Sequence, residues 1–149
     1  MAISRRKFLT ISSTACLILM APLKTWAVWS SAAFYSKNLD DAYRNLFGST
    51  ELIESYRIKL KVPKIANNKE AVPISVKTSI KSVESISLFV KDNSQPLAAS
   101  FQIPAGTLPE LSTRIRLEQA SIVTVVIKSD GKLFSKNQEV KLASSSCRG

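Results

Sequence analysis

The sequence predicts a mainly β protein: an immunoglobulin-like antiparallel β-sandwich of about seven strands, preceded by one short helix, with a flexible C-terminal arm. Three observations predict it. Apolar residues recur with a period of two through most of residues 56–142. Turn residues interrupt that alternation roughly every 8 to 12 positions. One segment with helical spacing stands in front, and no second domain or internal repeat follows.

The helix comes first. Leu39, Ala42, Tyr43, Leu46 and Phe47 recur at helical spacing over residues 38–47. Asn38 or Ser36 supplies an N-cap, and Asp40 and Asp41 sit where the helix dipole favours negative charge. Gly48 is placed to end the helix. Its apolar stripe reads as a docking face rather than a ligand site.

After Gly48 the period changes. Tyr56, Ile58, Leu60 and Val62 alternate with Arg57, Lys59 and Lys61. A loop over 63–70 follows, and then Val72, Ile74, Val76 and Thr78 alternate in turn. Further strands are expected over 85–90, 97–103, 111–117 and 122–128. Ser129-Asp130-Gly131-Lys132 reads as a hairpin turn with Asp130-Gly131 at its tip. The last strand pairing is expected around Leu133-Phe134 and Val140–Leu142. Leu88, Phe89, Val90 and Phe101 are assigned to the core. Trp26 and Trp29 both lie ahead of the helix, so the Cys-Trp-Cys signature of antibody domains is absent.

The N-terminus carries an export signal. SRRKFL at residues 4–9 fits the twin-arginine pattern, an apolar run covers residues 11–22, and Thr25-Trp26-Ala27 offers small residues for signal peptidase. The run is about half of the ~20 residues that a spanning helix needs. Residues 1–27 are therefore read as a cleaved signal, 28–48 as a helical segment, 49–142 as the sandwich and 143–149 as the arm. Export by this route implies the periplasm, with no membrane association after cleavage.

Cleavage changes the cysteine count. Cys16 leaves with the signal, and Cys147 remains as a single thiol in a compartment where disulfides form. An odd cysteine there points to an intermolecular bond or to a free reactive thiol. Removing Arg5, Arg6, Lys7 and Lys24 lowers the formal net charge from +10 to about +6. The remaining cations mostly alternate with apolar residues instead of forming a concentrated stripe, which argues against nucleic acid as a partner.

Much chemistry is excluded by composition. The chain has no histidine, which removes Ser-His-Asp and Cys-His catalysis and any His-ligated metal or haem. Its four glycines are too few and too scattered for a phosphate-binding loop. No cofactor or metal is expected, and the chain is not expected to be an enzyme.

The chain ends Ala143-Ser144-Ser145-Ser146-Cys147-Arg148-Gly149. Nothing in it has the bulk to anchor a core, and small polar residues make a tether. Cys147 is thus placed on a short arm beyond the last strand. Arg148 beside it is read either as a solvated tail residue or as a functional cation. In the second role it favours the thiolate.

The whole pattern resembles the Y subunit of the Sox sulfur-oxidation system. The resemblance rests on SRRKFL, on Leu46-Phe47-Gly48 at the helix end, and on VPKIANNKEAVP at residues 62–73. VESISLFV at 83–90, PLAASF at 96–101, LSTRI at 111–115 and KSDGKLF at 128–134 follow in family order, with one cysteine near the end. The resemblance implies a carrier whose C-terminal cysteine, here Cys147, covalently holds a sulfur substrate. It implies a heterodimer with a Z-type subunit. It further implies a c-type cytochrome that conjugates thiosulfate to the thiol, a hydrolase that releases sulfate, and in some organisms a sulfane dehydrogenase. The chain departs from the family's Gly-Gly-Cys-Gly-Gly at the arm, where Ser145, Ser146 and Arg148 replace three glycines. Each replacement adds a side chain where the family pattern has none. The alternative reading is a diverged immunoglobulin-like binding module whose cysteine only cross-links.

Overall fold

The computed structural model describes residues 30–143. The export signal expected over residues 1–27 and the arm residues Ser144, Ser145, Ser146, Cys147, Arg148 and Gly149 lie outside them. Two helices, α1 (Ser31–Phe34) and α2 (Leu39–Phe47), precede nine strands. These are β1 (Ile53–Glu54), β2 (Ile58–Lys61), β3 (Ile65–Ala66), β4 (Val72–Thr78), β5 (Val83–Val90), β6 (Leu97–Gln102), β7 (Glu110–Ile115), β8 (Ser121–Ser129) and β9 (Lys132–Leu142). They form a larger sheet in the order β1-β9-β8-β5-β6, with β3 also on β9, and a smaller sheet in the order β2-β4-β7.

The sandwich core lies between the sheets. Ile58, Val72, Ile74, Val76 and Ile115 from the small sheet meet Ile86, Leu88, Val90, Val123, Val125, Ile127 and Val140 from the large one. Burying a side chain of this size stabilises by about 1.5–3 kcal/mol. The small sheet alternates buried and exposed residues, as a half-buried strand should. In the large sheet β5 is buried continuously from Ser85 to Val90. The reason is a second core on its other face. There Ala42, Tyr43 and Ala33 from the helices pack on Phe89, Leu97, Val126 and Leu133.

The expected helix start and stop are present. The Asn38 side chain accepts a hydrogen bond from the Asp41 amide at 2.8 Å, and Gly48 closes α2 in the left-handed conformation at φ 76°. The helix stripe docks on the sheet, where the Tyr43 ring meets Phe89 edge-on at 4.6 Å between centroids. The hairpin tip has positive φ at Asp130 and Gly131, 48° and 71°, which a two-residue turn with the twist of the strands requires.

Four features exceed the expectation. α1, β1 and β3 are too short to show a period, and the segment around β3 reads as loop. The two expected pairings after the hairpin are one strand, β9, paired with β8 from Lys132 to Val140.

Candidate functional site

The site residues expected from the sequence, Cys147, Arg148, Ser144, Ser145, Ser146 and Gly149, all lie beyond the described residues. The structure defines the platform from which they leave. β9 is held on both sides at its end. On one side Val140 pairs with Ser121 of β8. On the other, Ile65 and Ala66 of β3 run parallel to Lys141 and Leu142. The Lys141 amide donates to the Lys64 carbonyl at 2.8 Å, and the Ala143 amide donates to the Ala66 carbonyl at 3.0 Å. The backbone is therefore paired up to Ala143. Cys147 is four residues further on, so covalent geometry keeps it within about 14 Å of that root.

The two residues of β3 were not legible as a strand. They matter because they tie down the base of the arm. Ala66 is buried while Ile65 is exposed, a single alternation that carries no signal in a sequence.

The end of the sandwich around the root is laced together by side chains. Glu118 accepts from the Ser94 amide at 2.9 Å and from the Ser94 hydroxyl at 2.7 Å. Its own amide donates to Asn93 Oδ1 at 2.9 Å, and Asn93 Nδ2 donates to the Arg116 carbonyl at 2.9 Å. Ser121 Oγ donates to Asp92 Oδ2 at 2.9 Å. The Leu117 amide donates to the Lys69 carbonyl at 2.7 Å, and Arg116 pairs with Glu70 at 3.1 Å. Three loops are thus cross-connected beside the arm's base. The Ser94 hydroxyl, then its amide, hold the Glu118 carboxyl below its ordinary value, against a smaller opposing effect of desolvation.

Charge at this end is mixed. Lys64, Lys69, Lys91 and Lys141 are exposed and have no ion-pair partner among the described residues. A depression of about 730 Å³ opens at the opposite end, between Lys81, Glu84, Pro104, Thr107 and Asp130. It is not part of the arm's surroundings. Among the described residues no cluster of His, Cys, Asp and Glu is arranged to hold a metal, and no helix is long and apolar enough to cross a membrane.

Fold and site together define a class: an immunoglobulin-like sandwich whose last strand is fixed up to the base of a cysteine-bearing tail. Comparison with known proteins narrows it. The family model described as "Sulfur oxidation protein SoxY" matches residues 43–147, a span that ends on Cys147. A solved structure of the sulfur carrier protein SoxY from Chlorobium limicola f thiosulfatophilum is 40% identical, with a TM-score of 0.64. The match covers 71% of this chain and 96% of that one. No curated protein sequence matches. The chain belongs to the SoxY family.

Proposed function

We propose that this protein is a periplasmic, non-catalytic sulfur carrier, and that Cys147 is its covalent attachment point. The observation that carries the proposal is a family match running to residue 147, where the thiol stands. The paired backbone at Ala143 supports it, since a carrier needs a fixed base for a short arm.

The chemistry follows from a thiol and its anionic substrate. Conjugation of thiosulfate to the Cys147 thiolate forms a sulfur–sulfur bond and releases two electrons. A partner must accept them, and the c-type cytochrome of the Sox system fills that role. Hydrolysis of the terminal sulfonate then yields sulfate and leaves one added sulfur on the cysteine. A hydrolase carries out this step, and a sulfane dehydrogenase oxidises the sulfur that remains. The carrier itself supplies the thiol, its reach and the charge around it. Arg148 raises the thiolate fraction and pairs with the sulfonate oxygens. The unpaired lysines near the root add to the local positive field. A Z-type subunit is the expected heterodimer partner.

The three lost glycines favour a second reading, in which the cysteine only forms an intermolecular disulfide. One variant separates the two. Cys147→Ser, presented with thiosulfate and the conjugating cytochrome, is expected to acquire no sulfur while its fold and its partner binding persist. Undiminished sulfur uptake by the variant would overturn the assignment. A wild-type chain that gives only a disulfide dimer, insensitive to thiosulfate, would establish the second reading.

A further inference from the structure

We propose that the outer face of the three-stranded sheet docks an acidic protein partner. The proposal is independent of what Cys147 carries, because it rests on a different surface. Alternation in β2, β4 and β7 turns Lys59, Lys61, Pro73, Ser75, Lys77, Glu110, Ser112 and Arg114 away from the core. Four are cations and one is an acid.

Two cations on and beside the large sheet have carboxylate partners on a neighbouring strand. Lys128 pairs with Glu84 at 3.1 Å and Lys136 with Glu54 at 3.2 Å. On the small sheet only Lys77 has such a partner, Glu110 at 2.8 Å. Lys59, Lys61 and Arg114 have none among the described residues. Moreover, Lys59 stands directly opposite Lys77 in the β2–β4 register. Like charges in that position destabilise a sheet. Their neutral neighbours Ser75 and Ser112 bond to each other at 3.0 Å and offer no compensation.

Beside this face lies a depression of about 380 Å³. Tyr56, Arg57, Lys59, Lys77, Thr78 and Ser79 line it, with no carboxylate among them. Tyr56 is 87% exposed at its rim. Tyrosine and arginine at the edge of a net positive field are the residues that protein interfaces use as anchors. The other outer sheet face is already covered by α1 and α2. A lipid surface is disfavoured because Pro73 is the one aliphatic side chain among the outward residues of the three strands, too little to insert. Nucleic acid is disfavoured because Tyr56 alone makes no stacking platform.

The test is a titration of the nitrogen-15-labelled full chain with poly-L-glutamate, followed by backbone amide shifts. The expected perturbations cluster on β2, β4 and β7. Apparent affinity is expected to fall about tenfold or more as salt rises from about 50 to about 300 mM, because surface charges are screened. The triple variant Lys59→Gln/Lys61→Gln/Arg114→Gln is expected to lose binding, with unshifted core amides as the check on folding. Arg114→Gln alone is expected to weaken it in part. Shifts spread evenly over the lysine-bearing loops, or full binding by the triple variant, would overturn the proposal. So would tighter binding of phosphatidylglycerol vesicles, or of a single-stranded oligonucleotide, through the same residues.

Discussion

The two sheets of the sandwich are built from the same alternation yet treat their outer faces differently. The large sheet is buried twice, by the small sheet on one side and by α1 and α2 on the other. The small sheet is buried once and leaves a basic face in water. The difference shows where each kind of free energy resides. In β5 and β8 burial dominates. In β2, β4 and β7 about half the residues face water, and stability is expected to be insensitive to them.

The largest break in that comparison is expected from Phe89→Ala. Phe89 is fully buried in the helix-side core against Tyr43 and Phe47. Its removal is expected to cost about 3–5 kcal/mol, read as a lowered urea midpoint. A loss below about 1 kcal/mol would mean that the helices contribute little to holding the large sheet. Asn38→Ala sharpens the same point at a distance from the core. Loss of the cap on α2 is expected to cost about 1 kcal/mol. Tyr43→Phe keeps the ring and removes a hydroxyl whose titration burial pushes up and Thr124 pulls down. It is expected to cost about 0.5–1.5 kcal/mol in the same denaturation experiment.

On the small sheet the expected effects are close to zero. Lys77→Ala deletes an exposed ion pair with Glu110 but also the repulsion with Lys59. Exposed pairs contribute about 0–1 kcal/mol, so the net change is expected to be within about 0.5 kcal/mol. The smallest effect concerns Glu118 beside the arm. Its carboxyl is held below the ordinary value chiefly by the Ser94 hydroxyl. A folded-state value below the unfolded one stabilises the fold above the unfolded value, and that contribution fades as pH falls through the folded one. Ser94→Ala is expected to return the Glu118 titration, followed by carboxyl NMR, upward toward the ordinary glutamate range.

Legibility in the sequence follows the same division. β4 is visible residue for residue, because Val72, Ile74 and Val76 alternate with polar neighbours on a half-buried sheet. Burial on both faces hides the alternation in β5, yet a continuous apolar run still marks a strand. The helix was legible from Asn38 to Gly48 through its caps. What the helix covers was not, since its partners Phe89, Leu97, Val126 and Leu133 come from four strands distant in the chain. β1 and β3 contribute two residues each, and only their pairing with β9 makes them strands. The site divides likewise. The thiol was found by counting cysteines. The anchoring of Lys141 and Ala143 by Lys64 and Ala66 depends on a contact across the chain that no local pattern encodes.

The central claim is that the thiol beyond this anchored strand carries sulfur, and one measurement tests it most directly. The protein is purified from periplasm with its partner, and the mass of the tail peptide is taken before and after reduction. Gains of about 32 Da for one sulfur or about 112 Da for a thiosulfonate, localised to Cys147 and lost on reduction, are the predicted result. A bare thiol, or only a disulfide between two tails, would contradict it.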